Sequence, residues 1–375
     1  MPAQLPLPSP EAAAHSARVL AALRDAAARG FLPFSDYMRI ALYAPGLGYY
    51  AAGAQKFGAA GDFVTAPELS PFFARALARQ VAQVMRASSA QVIEFGAGSG
   101  ALAAELIPVL DALGVAPASY AILEVSPDLR ARQQERLGVY GDRVRWLDSL
   151  PAEFSGCLIA NEILDAMPVS VFEKCAGGVV ERGLVLREAA IEWESRPAPA
   201  ALLEAVGAIE AELGPLPEGY VSEVNLAGVA WLKSIAAILT QGALIAIDYG
   251  FPRAEYYHPQ RAAGTLTCHY RHHSHHDPLW LPGLCDITAH VDFTAMADAA
   301  LTAGLDVLGY TSQAHFLLNC GLADLLVEAT PAERNAAHKL LSEAEMGELF
   351  KVLMVGRDLG DTPLGFVAGD RRGRL

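Results

Sequence analysis

The stretch VIEFGAGSGALAAEL, Val92 to Leu106, constrains the fold of this chain more than any other. A short apolar run delivers the backbone to Gly96, Gly98 and Gly100, and a segment rich in alanine and leucine then predicts a helix. Glycines at this spacing permit a tight turn and let backbone N–H groups approach a ligand where the helix begins. In an open α/β sheet such a turn lies at the carboxyl end of a central strand, where ligands bind.

The neighbouring sequence repeats the alternation. SYAILE, RVRWLD, CLIAN and ALIAIDYG are further apolar runs, with helices predicted near 99–113, 127–137 and 222–239. Alternating strands and helices predict a parallel sheet covered on both faces. LDVLGYTSQ and LFKVLMVGR are expected to close it as an antiparallel pair. Helices are also predicted over 10–29 and from Pro71 to about Arg86, separated by a long irregular stretch. Between CLIAN and ALIAIDYG lie far more residues than a crossover needs. VSVFEKCAGGVVERGLVLREAAIEWES predicts hairpins around Gly177-Gly178 and Gly183, followed by a helix near 200–213. The expected organisation is an N-terminal helical and loop region (1–86) covering the site and a core of 87–168 and 222–375. A His-rich loop near 251–290 belongs to that core, and a hairpin and helix unit (169–221) is inserted into it.

Composition narrows the function. With 375 residues, 53% hydrophobic and 19% charged, the chain is globular and long enough for a substantial core. A net charge of −14 excludes a broad nucleic-acid footprint and suits a basic partner. Cys157, Cys175, Cys268, Cys285 and Cys320 are odd in number and widely spaced, so no disulfide framework is expected. The N-terminal MPAQLPLPSPEAAAH matches neither a secretory signal nor an Arg- and Ser-rich transit peptide, and no run has the length of a membrane span. A cytoplasmic location, with no membrane insertion, is the expectation.

Three acids stand in register around the glycine loop. Glu94 lies on the strand before it, Glu124 ends SYAILE and Asp148 ends RVRWLD. Glu94 with Gly96, Gly98 and Gly100 resembles motif I of the class I S-adenosylmethionine methyltransferases. There the first acid sits near the methionine end of the cofactor, the second bonds the ribose hydroxyls and the third lies beside the adenine. One acid suits a nicotinamide dinucleotide equally well, and the loop alone is a weak dinucleotide fingerprint. Three acids favour S-adenosyl-L-methionine, whose sulfonium and amine bring positive charge, with S-adenosyl-L-homocysteine as product.

CLIAN then leaves the core at Asn161-Glu162, with Asp165 close behind, beside the place of methyl transfer. The Pro-Pro-aromatic sequence of base-directed enzymes is absent from this position. A carboxylate suits a planar guanidinium, which it binds as a bidentate fork. Alternatively, Glu162 or Asp165 caps the next helix and Asn161 bonds backbone.

Longer segments resemble the MidA-like methyltransferases, a family that includes the mitochondrial complex I assembly arginine methyltransferase. The resemblance is carried by GDFVTAPELSPFF (Gly61 to Phe73), VIEFGAGSG, LIANEILDAMPV (Leu158 to Val169), IAIDYG (Ile245 to Gly250), DITAHVDF (Asp286 to Phe293) and MGELFKVLMV (Met346 to Val355). It implies a class I, Rossmann-like α/β fold with a mostly parallel seven-stranded sheet and an antiparallel and helical cap. It further implies a loop of Gly61, Asp62, Thr65, Pro67 and Glu68 facing cofactor or substrate, with Asp62 assisting Glu162 at the acceptor. The expected activity is methyl transfer to an arginine of a protein, such as a quinone-oxidoreductase subunit. The rivals are a small-molecule methyltransferase and an assembly factor that works by binding a partner. TCHYRHHSHHDPLWLPGLC holds zinc-type donors at a spacing that matches no zinc finger, so a polar loop or a lid over the acceptor is expected there and no metal.

Overall fold

The structure, a computed structural model, describes residues 5–52, 65–188 and 190–375. Seven strands form the path of the main sheet: β1 (Gln91–Phe95), β2 (Ser119–Leu123), β3 (Val144–Leu147), β4 (Phe154–Asn161), β5 (Leu239–Phe251), β6 (Asp306–Ser312) and β7 (Phe350–Arg357). Their order is β6-β7-β5-β4-β1-β2-β3, and a two-residue strand, Val291–Asp292, adds to the tip of β5. The strands β1 to β5 pair in parallel, whereas β7 runs antiparallel to both β5 and β6. The chain reverses direction across the sheet between β1 and β4, which opens a crevice at their carboxyl ends.

Burial explains the apolar runs. In β4, Cys157, Leu158, Ile159 and Ala160 are all buried because helices cover both faces, and Asn161 is the first residue to emerge. On one face the helix Pro71–Ala87 packs with Ala101–Ala112, and on the other Leu226–Ile238 packs with Phe293–Thr302. Ser70 caps the first of these by accepting from the Phe72 N–H, Pro71 occupies its first turn, and Phe73, Leu77 and Val81 form its inward stripe. Each such buried side chain contributes roughly 1.5–3 kcal/mol over its exposed state.

A second, antiparallel sheet joins Leu32–Pro33, Gly178–Arg187, Ser170–Cys175 and Val221–Val224, with Ala190–Pro197 on Gly178–Arg187. A third consists of His273–His275, Thr267–Tyr270 and Asp286–Thr288. Helices Pro10–Ala27 and Phe34–Tyr43 share a core with these two sheets, through Val19, Leu23, Phe34, Met38, Leu184 and Ile287.

Several expectations are corrected. The irregular stretch after residue 30 contains the helix Phe34–Tyr43, whose buried Phe34, Met38 and Leu42 recur at helical spacing behind Pro33. The region 1–86 divides, since its last helix packs on the main sheet and its first two pack on the smaller sheets. Gly183 makes no turn. It lies within the strand Gly178–Arg187, where a Cβ would stand 2.5 Å from the Leu32 carbonyl oxygen, so its role is close approach of two strands. The segment predicted as helix from 222 begins as the strand Val221–Val224, and the helix starts at Leu226 after the Asn225 cap. The His-rich loop contains the third sheet. Arg271 and His272, at φ 46° and 61°, form its two-residue turn without the Asn-Gly or Asp-Gly pair that signals one.

Candidate active site

A cavity of about 710 Å³ opens at the carboxyl ends of β1, β2, β4 and β5. Its volume is in the range of small-molecule sites. Ten of the expected residues line it together: Thr65, Pro67, Glu68, Glu94, Gly96, Gly98, Glu124, Asn161, Glu162 and Asp165.

One half is built around the glycine loop. Gly96, Gly98 and Gly100 have φ of 60°, 55° and 81°, the left-handed region that glycine enters without penalty. A Cβ on Gly96 would lie 2.9 Å from Ile163, so the loop is packed from behind as well as open in front. Gly100 is the helix N-cap and stands outside the cavity lining. Glu124 accepts from the Ser126 N–H (2.9 Å) and the Gln133 amide (2.9 Å). The same Gln133 amide donates to the Gly98 carbonyl (2.9 Å), and its oxygen accepts from the Trp146 indole (3.0 Å). Gln133 is fully buried and ties the loop, the β2 acid and β3 into one unit. Glu94 accepts from the Tyr120 hydroxyl at 2.6 Å; burial pushes its pKa up to about 7 against that bond. Glu68 receives the Ser99 hydroxyl and pairs with Arg136 at 3.7 Å, so the 65–69 segment is latched to the glycine loop.

Asp148 departs from expectation. It follows β3, but its side chain is 85% exposed, pairs with Arg130 at 2.5 Å and does not reach the cavity. Gly61 and Asp62 lie outside the described residues.

The other half holds the acids after β4. Glu162 adopts φ 54°, rare for a residue with a side chain, and its N–H donates to the Ile247 carbonyl at 2.8 Å. Its carboxylate accepts from the Asn161 amide (3.0 Å) and the Ala66 N–H (3.3 Å). Removal from solvent, with the nearby Asp165 charge, raises its pKa to about 7 despite those two bonds. Burial likewise raises Asp165 to about 6, opposed by a hydrogen bond from Tyr249. The Asn161 carbonyl oxygen and Asp165 Oδ1 are buried without a hydrogen-bond partner, which is the state of groups placed for a ligand.

Asp248, on the neighbouring strand β5 just after the residue that pairs with Asn161, holds this segment. Its Oδ2 accepts from the N–H groups of Leu164 (2.9 Å) and Asp165 (3.3 Å), and burial drives its pKa well up. Asp248, Tyr249 and Gln133 are absent from the expected site. For the first two the signal was present, since ALIAIDYG also turns polar at its end, as CLIAN does; Gln133 sits in a charged helix that looks solvated. Tyr43, Tyr50, His269, Asp286, Thr288 and His290 also line the cavity. His290 is stacked on Phe251 at 5.3 Å, and burial lowers its pKa to about 4, so it is neutral. Among the described residues no group of three or more His, Cys, Asp or Glu is arranged to hold a metal ion, and no helix is long and apolar enough to cross a membrane.

A glycine cradle and an anchored acid at the end of β2 line one side of the cavity, and orphaned polar atoms lie beyond them. Residues 76–311 match the model of a family described as S-adenosyl-L-methionine-dependent methyltransferases. The chain belongs to that family, and it is an S-adenosyl-L-methionine-dependent methyltransferase of class I, Rossmann-like fold. A crystal structure of a Burkholderia thailandensis protein bound to S-adenosyl-homocysteine is similar at TM-score 0.93 and 50% identity, covering 99% of this chain and 100% of that one. Among curated proteins, the protein arginine methyltransferase NDUFAF7 of Xenopus tropicalis is 30% identical over 87% of this chain and 82% of its own length. Its Drosophila melanogaster homologue is 29% identical over 86% and 81%. Both are mitochondrial proteins, which overturns the expectation of a plainly cytoplasmic one read from the N-terminal residues.

Proposed function

We propose that this chain methylates an arginine side chain of a protein, and that its cavity divides into a cofactor half and an acceptor half. The observation that carries the reading is the acid-rich chamber after β4, where Glu162 and Asp165 meet beside the glycine loop. The names of the curated relatives support it, and the quinone-oxidoreductase subunit implied by the family resemblance is the partner to try first.

Gly96, Gly98 and Gly100 shape the loop for the cofactor, Glu124 receives its ribose hydroxyls, and Glu94 faces its amine end. Thr65, Pro67 and Glu68 close over it, with the two smaller sheets as the cover of the site. Asp148 keeps at most a long-range electrostatic part. When bound, the cofactor supplies an activated methyl group on a sulfonium. Everything else falls to side chains. Glu162, steadied by Asn161, orients the guanidinium so that one nitrogen faces the methyl group, which makes positioning the main contribution to rate. As that nitrogen gains the methyl group it must lose a proton, and a carboxylate whose pKa lies near 7 is matched to accept it. Asp165 balances the remaining positive charge.

The test uses tritiated S-adenosylmethionine and protein extract, with acid hydrolysis to identify the labelled product. Label in methylarginine is expected, and Glu162→Gln should lower it by on the order of a hundredfold or more. Label confined to small molecules, or a Glu162→Gln enzyme of undiminished rate, refutes the reading.

A further inference from the structure

Glu94 has a partner outside the glycine motif. The strands β1 and β2 pair in parallel, with Val92 opposite Tyr120 and Glu94 opposite Ile122. Alternation puts Glu94 on the face of β1 that carries Val92, away from Ile93 and Phe95. On that face the fully buried Tyr120 reaches along the sheet from its place opposite Val92, and its hydroxyl donates to Oε2 of Glu94 at 2.6 Å. That is the length of a charge-assisted O–H···O bond.

The setting of the pair is apolar. Val92, Ile122 and Ile159 from three strands share a core with Leu102 and Leu106 of the helix Ala101–Ala112. The other titratable groups that face the pair are Glu124, after β2, whose charge disfavours that of Glu94, and Cys157 of β4, whose thiol is held neutral by burial. Glu94 is 3% exposed, yet it lines the cavity directly before the glycine loop. Tyr120 takes Oε2, so Oε1 is the oxygen left for a ligand there. Burial opposes the charge on Glu94 and the Tyr120 hydroxyl favours it. A cation arriving at Oε1 favours it further.

We propose that Tyr120 is a positioning residue for the cofactor, holding Glu94 so that it forms an ion pair with the cofactor's ammonium group and releases its own proton to solvent as the ammonium arrives. Cofactor binding is then coupled to the loss of a proton, and Tyr120 sets the pH range in which the coupling acts. This inference rests on Glu94 facing the amine end of the cofactor, and it is independent of the acceptor.

The experiment is calorimetric titration of the full chain with S-adenosylhomocysteine, and with 5′-methylthioadenosine, which lacks the amino-acid part, in buffers of different ionisation enthalpy across a range of pH. S-adenosylhomocysteine should release close to one proton more than 5′-methylthioadenosine well below about pH 7, and the difference should vanish above it. Glu94→Gln should abolish that difference and weaken S-adenosylhomocysteine by about tenfold or more, with little effect on 5′-methylthioadenosine. Tyr120→Phe, which keeps the ring, should move the release to higher pH and weaken S-adenosylhomocysteine several-fold at about pH 7. If Glu94→Gln leaves both ligands unchanged, Glu94 is not at the amine end, and that placement falls together with the inference. If Glu94→Gln weakens S-adenosylhomocysteine but Tyr120→Phe leaves the release profile in place, the placement stands and the inference is overturned. Should Tyr120→Phe not fold, infrared difference spectra of the wild type decide. S-adenosylhomocysteine should remove a protonated-carboxyl band that the Glu94→Gln spectrum lacks and shift the tyrosine C–O band with it, and an unshifted tyrosine band overturns the role of Tyr120.

Discussion

The two halves of the cavity are built in opposite ways. The cofactor half comes from a short span of sequence, the glycine loop after β1, the acid after β2 and Gln133 on the next helix, with the 65–69 segment latched to it. The acceptor half is gathered from five separated places, around Tyr43 and Tyr50, after β4, at the end of β5, on the third sheet and at Phe350. A site made of neighbours in sequence is set by local geometry and tolerates change around it. A site made of distant segments depends on how three sheets sit together, and is where substrate choice can change without disturbing the cofactor.

That contrast can be broken most severely at the loop. Gly98→Asp places a carboxylate and its Cβ in the cavity at φ 55°, and should reduce S-adenosylhomocysteine affinity by on the order of a hundredfold, read by calorimetry. Retained affinity would mean that the cofactor half lies elsewhere. Gln133→Leu is the sharper probe because it touches only the cofactor half. It leaves Glu124 and the Gly98 carbonyl without a shared donor, so affinity for S-adenosylhomocysteine should fall about tenfold while an arginine probe, N-acetyl-arginine amide, binds the remaining complex as before. Loss of both affinities together would show that the halves are not independent.

The smallest expected effect is on pH. Glu162 and Asp165 hold protons up to about 7 and 6, and a cation favours their ionised forms. Affinity for the arginine probe should therefore rise several-fold between about pH 5.5 and 8, with protons released to the buffer, and level off above. The same raised values carry the opposite sign for the ligand-free fold. Their contribution to stability is complete below their ordinary carboxylate values and is lost as pH rises through about 6 to 7, so the melting temperature without ligand should decline over that window. A flat affinity profile would place the cation away from both acids.

Legibility in the sequence follows the same division. The glycine loop, the acid at Glu124 and the Asn161-Glu162 strand end are short-range patterns, and they are readable because β1, β2 and β4 are buried apolar runs that turn polar where they emerge. Asp148 misleads for the converse reason. Its position after β3 follows the rule, but Arg130 claims its exposed side chain, and beyond the last strand residue the alternation no longer fixes where a side chain points. Asp286 and the tyrosines enter through long-range packing. The turn at Arg271 and His272 that folds the third sheet lacks glycine, so the whole segment reads as loop. The helix Pro331–Leu341 is also within reach of the sequence, for Thr330-Pro331 with Glu333 spells a capping box, and it packs beside Ala66–Leu69.

Gln133 also gives the protein a way to be watched. Its oxygen holds the indole of Trp146 at 3.0 Å, while Trp280, in the connection between two strands of the third sheet, lies edge-on to Tyr270 and His275 at 5.2 and 5.1 Å. Of the four tryptophans, Trp231 lines the cavity itself, Trp146 stands behind the glycine loop through Gln133, and Trp280 packs on strand residues of the third sheet. Excited indoles respond to polar and aromatic neighbours, so emission from variants that keep only Trp146 or only Trp280 follows the filling of each half separately in stopped flow. The order in which cofactor and acceptor arrive becomes an optical record, with no label attached.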